Sequence, residues 1–300
     1  MIANTMAAIV AFRPEFKALL ALASQAKTEV ALVVVFANSA LEESLADALR
    51  AAGVEVIAAP LNMGLGEAFN QCAEAGRRAG MKRLFLLDQD SEPPAGLIGA
   101  LSRTADALAA RGDNPAVIGP RIVSPPGSNY KAPRYFARPG PAPFEAAEPV
   151  HYVISSGSLI GLEALERVGP FRADFFIDAI DTEWCFRAWA KGMSCWVMHG
   201  PAMAHRIGQG VVRKLGRAMP RQALFRLYAY VRNQSHCLTL VHVPFGWKLR
   251  ISAHLARVVL AYWIEARFSP RFLLHMMQAA WRGLRGRLGP PPGAENAAPA

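Results

Sequence analysis

The chain has 300 residues, 52% of them apolar and 19% charged, enough to bury a substantial core and incompatible with a disordered polymer. Its net charge of +10 is uneven: from His205 onward 15 Lys and Arg face two acids, whereas the preceding residues are slightly acidic, so the basic character belongs to the C-terminal third. Four scattered cysteines (Cys72, Cys185, Cys195, Cys237) lack CxxC spacing, which argues against a zinc framework and fits free thiols in a reducing compartment.

The opening MIANTMAAIVAFRPE has no basic region before its apolar stretch and reads as a buried strand rather than a secretory leader. Uniformly apolar runs follow at 6–12, 30–37, 54–59, 83–88 and 116–123, the pattern of parallel strands covered on both faces. Between them, PEFKALLALASQA, LEESLADALRAAG, GEAFNQCAEAGRRAG and PAGLIGALSRTADALAARG carry apolar positions at helical spacing. Strand and helix repeated in this way predict a doubly wound α/β sheet, with its ligand site beyond the carboxyl ends of the strands.

Residues 124–149 hold seven prolines and little periodicity, the mark of a long functional loop or an insertion. HYVISSGSLIG then predicts a strand, LEALERVG a short helix, and CWVMHGPAMAH the last strand of the α/β part. Beyond about residue 212 three basic amphipathic helices are predicted, up to residue 288, followed by a disordered tail over 289–300. No uncharged apolar window reaches the roughly 18 residues of a spanning helix, and a cytoplasmic location follows.

Chemistry concentrates at a few points. Asp88 and Asp90, at the end of FLLDQDSEPP, can converge on one hard cation or simply form an acidic turn. In FFIDAIDTEWCFRAWAKG three carboxylates lie among bulky apolar residues, a costly position unless they face a polar cavity. Asp181 can cap a helix over 182–191 and Glu183 can pair with Arg187, which leaves Asp178 without a structural task. His205 can serve a metal or phosphate, with His199 as its competitor. NMGLGEAFNQ, with Gly64 and Gly66, is a strand-to-helix turn whose amides suit an anion or polar ligand, or an ordinary loop.

Taken together, NMGLGEAFN, FLLDQDSEPP, ISSGSLIG, FFIDAIDTEWCFRAWAKG and His205 resemble glycosyltransferase family 2, the inverting enzymes of GT-A fold, and above all its bacterial rhamnosyltransferase-like members. The resemblance spans about residues 6–235. It implies an enzyme that moves a sugar, rhamnose by default, from a nucleotide-diphosphate donor to a saccharide or lipid-linked saccharide in cell-surface polysaccharide synthesis. Asp88, Asp90 and His205 would hold Mg²⁺ or Mn²⁺ against the donor diphosphate, and Asp181 would be the base that activates the acceptor. Asn38, Asn62, Gly64, Asn70, Ser156, Gly157, Asp178 and Glu183 would contribute to donor and acceptor binding. Ala37 stands before Asn38 and Ser39 where the family carries an acid that reads the base or ribose.

Trp247, Trp263 and Trp281, interleaved with Arg250, Arg257, Arg267 and Arg282, suit either helices lying on an anionic membrane surface or a packed helical face with a solvated basic side. A peripheral position at the inner face of the plasma membrane is the corresponding expectation, and no motif pairs the basic third with nucleic acid. Two rivals remain: a degenerate member that binds sugar nucleotide or glycolipid without turnover, and a phosphatase of DxD type. The latter wants its motif on the first strand.

Overall fold

The computed structural model describes residues 1–125, 132–145, 147–205, 210–214 and 217–294, the side chains of 217 and 218 excepted. The first apolar run forms β1 (Ile2–Ala11), and its alternating side chains divide between two cores. Met6, Ala8 and Val10 join Phe36, Phe69, Leu84 and Leu86 on one face. Ala7, Ile9 and Ala11 join Leu19, Val33, Val35, Phe85 and Leu87 on the other. A strand covered on both sides has no polar face, which is why these runs read as continuously apolar.

The expected crossovers appear in order: α1 (Phe16–Glu29), β2 (Val30–Ala37), α2 (Glu43–Ala51), β3 (Glu55–Ala58), α3 (Leu65–Arg78), β4 (Arg83–Asp88), α4 (Leu97–Ala110) and β5 (Pro115–Val123). Helix α1 starts where the Glu15 carboxylate accepts the N–H groups of Lys17 and Ala18 at 3.2 and 2.7 Å, a side-chain cap of otherwise orphaned donors. Then come β6 (Ala147–Pro149), β7 (Leu159–Gly161), α5 (Leu162–Val168), α6 (Ile180–Ala190) and β8 (Ser194–Ala204).

Eight strands make one sheet in the order β3-β2-β1-β4-β7-β5-β8-β6. The pairs β1–β2, β2–β3, β1–β4 and β5–β8 are parallel, while short β7 and β6 pair antiparallel with their neighbours. Strand order reverses at β1, which sits between β2 and β4, and a crevice opens beyond carboxyl ends at such a point. Here the Phe12 N–H donates to Gln89 Oε1 at 2.7 Å, stitching those two ends together.

Three local expectations differ from the fold. Only Leu159–Gly161 of HYVISSGSLIG is strand; the SSG portion turns, because the Gly157 N–H donates to Leu86 O at 2.8 Å while Gly157 adopts φ 80°. Helix α6 begins at Ile180 behind Ala179, so Asp181 lies in the first turn rather than capping it. An antiparallel pair of strands, β9 (Val211–Lys214) and β10 (Arg217–Pro220), precedes the helices α7 (Leu224–Cys237), α8 (Phe245–Glu265) and α9 (Pro270–Leu284). These helices share a third core around Leu227, Tyr228, Ile251, Leu255, Met276 and Ala279.

Of the expected tail, residues 295–300 lie outside the described residues. Its start is anchored instead: the Gly289 N–H donates to Asp174 O at 2.7 Å, and Arg232 donates to Gly289 O. Of the Pro-rich stretch, residues 126–131 and 146 lie outside the described residues, and the remainder contributes β6. Among the described residues no helix is long and apolar enough to cross a membrane, and all four cysteines are free and buried.

Candidate active site

Strand β4 delivers Asp88 and then turns. The Ser91 hydroxyl accepts the Asp88 N–H at 3.0 Å, and the Ser91 N–H donates to Asp88 O at 3.1 Å. Ser91 Oγ also lies 2.7 Å from Ser156 Oγ, both residues buried, so the serine of the SGS turn braces the acidic loop. From the other side, β8 ends at Ala204, which bridges to Glu92, and the His205 N–H donates to Val123 O at 3.2 Å. Two strand ends distant in sequence therefore bring Asp88, Asp90 and His205 together, with ligand atoms within 4.8 Å of one another.

His205 Nε2 is 3.5 Å from Asp88 Oδ2. Among the described residues its buried Nδ1 has no hydrogen-bond partner, an arrangement that asks for an explanation. Burial pushes the Asp88 carboxyl above its ordinary value, and Asp90 adds to the rise against the opposing pull of His205 and Arg226. Two crowded carboxylates beside an imidazole form a hard, mixed O/N donor set, and it fits a small divalent cation. His199 lies elsewhere, within 3.3 Å of Glu148 and 2.8 Å of Arg121.

The second acidic segment behaves differently. Phe176, Asp178 and Ala179 all have φ of 65°, a left-handed run that costs about 1–3 kcal/mol per non-glycine residue. It persists because other elements grip it. Asn233 Nδ2 on α7 donates to the carbonyls of Phe175, Ile177 and Asp178 at 2.9, 2.8 and 3.0 Å. The Leu65 N–H at the start of α3 donates to Phe176 O at 2.6 Å. Gly64, at φ 80°, allows this approach, since a Cβ there would stand 2.7 Å from Phe176 O.

Three carboxylates leave this loop in three directions. Asp181 faces the cleft with both oxygens oriented: Oδ2 accepts the Ser155 N–H at 3.1 Å, and Oδ1 accepts the Thr182 N–H at 2.7 Å. Burial raises its pKa in spite of those bonds, which makes it a better proton acceptor near neutrality than an ordinary Asp. Asp178 does have a structural partner, Arg226 of α7, whose Nε and Nη2 donate to its carboxylate at 3.2 Å. Glu183 points away from the cleft and is 1% exposed. Burial would raise its pKa, but His242 Nε2 at 2.9 Å and the two Arg187 contacts at 3.1 and 2.9 Å hold it below the usual value.

The cleft that these elements enclose measures about 1280 Å³. Asn38, Asn62, Gly64, Asp88, Asp90, Ser156, Asp178, Asp181 and His205 line it, whereas Asn70, Gly157 and Glu183 do not. Asn38 Oδ1 accepts the Met63 N–H at 2.8 Å and Asn62 Oδ1 the Gly64 N–H at 3.0 Å, so both shape the turn before α3. Asn70 is occupied behind that turn, its side chain bonded to both the N–H and the carbonyl of Phe171 at 2.9 and 3.0 Å. Gly157 holds the SGS turn against Met203 and Pro120, where a Cβ would meet Met203 Cε at 2.8 Å.

Sequence reasoning missed the far wall. Arg226 and Tyr230 of α7 and Trp247, Arg250 and Arg257 of α8 all line the cleft, although their helices read as an appendage to the sheet. The signal was present in α7, where Arg226, Tyr230 and Asn233 recur on one helical face. Nothing local told that this face meets the acidic loop.

No protein-family model matches the chain. Over 263 residues, 83% of its length, the chain is 30% identical to the dTDP-rhamnosyl transferase RfbF of Shigella flexneri and covers 85% of that protein. Among solved structures it is similar to GalNAc-T7, crystallised with UDP, GalNAc and Mn²⁺, at TM-score 0.56 and 14% identity over 84% of this chain. It spans about half of that protein, 54%. It is equally similar to residues 1–349 of S. aureus TarS, at TM-score 0.56 and 14% identity, covering 95% of this chain and 82% of the other. At that identity the two crystal structures speak to the fold, a mixed α/β architecture of GT-A type around a mostly parallel sheet.

Proposed function

We infer the reaction from the premise that this chain belongs to the rhamnosyltransferase-like group of glycosyltransferase family 2, and so is a nucleotide-sugar-dependent glycosyltransferase. The donor proposed is a dTDP-sugar, with rhamnose favoured by the relative's name, and the acceptor is a saccharide. The observation that carries the division of labour is that two acidic sites share one cleft, a convergent triad of Asp88, Asp90 and His205 and a separately oriented Asp181. A degenerate binder has no need of a second, carefully oriented carboxylate.

In this reading Asp88, Asp90 and His205 hold Mg²⁺ or Mn²⁺, which when bound supplies positive charge against the leaving nucleoside diphosphate. Arg226, fixed by Asp178, adds a permanent cation to the same end of the cleft. Asp181 takes the proton of the acceptor hydroxyl as that oxygen attacks the anomeric carbon. Its two backbone hydrogen bonds aim the carboxylate, and the strained run before α6 fixes where α6 begins. An attack from the side opposite the leaving group inverts the anomeric centre.

The test separates the two ends of the cleft. Titration of dTDP, UDP and GDP in the presence and absence of Mn²⁺, read as thermal shift, is expected to select one nucleotide and to give the larger shift with the metal. Asp181→Asn is expected to keep that shift while losing transfer. Full transfer by Asp181→Asn would sink the base assignment.

For location we propose peripheral attachment at the cytoplasmic face of a membrane, through α9. Leu274, Met277, Trp281 and Leu284 are 64, 59, 46 and 51% exposed and recur on one helical face. Arg285 and Arg287 lie 5.6 and 4.9 Å from the Trp281 ring, and a face of this kind suits anionic headgroups. Flotation with anionic liposomes at low salt, lost on Trp281→Glu, is the expected result.

A further inference from the structure

Each of the five carbonyls from Asp174 to Asp178, the stretch that leads to Asp181, accepts a donor from outside the loop. The Leu65 N–H donates to Phe176 O at 2.6 Å from the α3 side. The other four face the C-terminal third. The Gly289 N–H donates to Asp174 O at 2.7 Å, Arg232 Nη2 and Asn233 Nδ2 donate to Phe175 O at 3.1 and 2.9 Å, and Asn233 Nδ2 also serves Ile177 O and Asp178 O. Positive φ at Phe176, Asp178 and Ala179 is not a conformation such residues favour by themselves, so these donors impose it.

Arg232 joins the two sources of donors. It is fully buried, and its hydrogen bonds go to three neutral oxygens: Asn233 Oδ1 at 3.0 Å, Phe175 O at 3.1 Å and Gly289 O at 2.5 Å. A guanidinium carries donors only, so it fixes the Asn233 amide with the oxygen toward itself and the NH₂ toward the loop. Burial pushes the Arg232 pKa down to about 10, and a cation buried against neutral oxygens is a cost to folding that stability alone does not explain. Helix α9 delivers Gly289 to this point. Gly283 crosses α7 so closely that a Cβ would stand 2.0 Å from Arg232 O, His236 Nδ1 lies 3.1 Å from Gly283 O, and Leu288 packs against the core that holds Phe175.

We propose that Arg232 and Asn233 are positioning residues for Asp181 and that Gly289 latches them, which makes the segment beyond α9 part of the catalytic framework. The inference rests on Asp181 being the base. Asp181 follows Ala179 by two residues, so a change in the path of the loop passes directly to its carboxylate. Opening the latch leaves the nucleotide end of the cleft in place, because Asp88, Asp90 and His205 are carried by the ends of β4 and β8.

The experiment compares two proline variants of the full chain. Gly289 and Gly293 both have positive φ, 98° and 82°, and both lie beyond α9, but only Gly289 touches Asp174 and Arg232. Proline removes the N–H and forbids positive φ. Gly289→Pro is expected to speed hydrogen exchange in a peptide covering 173–181 and to lower kcat roughly 10–100-fold, since a displacement of about 1 Å can cost that much. Turnover is read as dTDP release from dTDP-rhamnose with Mn²⁺ and water as acceptor, and dTDP affinity by calorimetry is expected to stay unchanged. Gly293→Pro is expected to match the wild type, and Gly289→Asn, which keeps the N–H and tolerates positive φ, to recover part of the loss. Arg232→Lys keeps the charge but loses the fork, and it carries the expectation of Gly289→Pro should that variant fail to fold. Equal losses in the two proline variants would overturn the proposal, as would faster exchange with unchanged kcat, or a parallel loss of dTDP affinity. If the wild type releases no dTDP, the donor reading is what fails, and exchange in 173–181 alone then decides the latch.

Discussion

Two acidic segments of similar composition, Asp88-Gln89-Asp90 and Asp178 to Glu183, end in opposite arrangements. The first converges: two carboxylates and His205 meet within 4.8 Å. The second disperses: Asp181 faces the cleft, Asp178 is held by Arg226, and Glu183 is buried in a pair with Arg187 beside His242. The backbone accounts for the contrast. A turn at a strand end sends alternate residues the same way, whereas the start of a helix rotates each successive side chain by about 100°. Gathered like charges favour a cation or a shared proton, whereas burial of a single carboxylate favours one opposite partner.

That contrast can be broken at both segments. The largest loss is expected from Asp181→Asn, a fall of about 10²–10⁴-fold in kcat with nucleotide affinity retained by calorimetry. A carboxyl whose folded pKa is raised contributes stability below its unfolded pKa and loses it as pH rises through the folded one, a dependence that Asp181→Asn should abolish, read as melting temperature against pH.

Next comes Glu183→Gln, expected to destabilise by about 3 kcal/mol in urea denaturation at neutral pH because it strands Arg187. Here the sign reverses. The folded pKa is held low, so the stabilisation is present above the unfolded value of 4.5 and fades as pH falls through the folded one. Wild type and variant should therefore converge in acid, with transfer by the folded variant intact in kcat.

Asp88→Asn or Asp90→Asn is expected to weaken Mn²⁺-dependent nucleotide binding by about 10–100-fold, leaving metal-free binding unaltered. An equal loss without metal would remove the distinction between a converging and a dispersing segment. Smallest is the pH dependence of the base. The acidic limb of kcat should lie above the ordinary Asp value of 3.8, activity falling as pH drops because a protonated base accepts no proton. A limb below that value would mean that the hydrogen bonds from Ser155 and Thr182 outweigh burial.

Much of the site was legible where its geometry is local. Gly64 marks a turn, DQD ends a strand, and Glu183 pairs with Arg187 four residues on. Asp178, in contrast, has a partner from α7 that no spacing revealed, and Asn70 and Glu183 turned out to be tethers behind the cleft. Asn233 looked like one more polar residue of a basic helix, yet it grips three carbonyls of the loop before Asp181.

The sequence by itself determined the doubly covered sheet, the acidic turn at the end of β4 and the basic, helical C-terminal third, because residue period and composition dictate which elements form and which faces they bury. Tertiary structure alone decided which face meets which. It brought His205 from β8 to Asp88, set Arg226 against Asp178, and turned Trp247, Arg250 and Arg257 into the cleft. These are contacts between residues far apart in the chain. The pattern of one helix records that a face is buried or charged, but not the surface waiting opposite it.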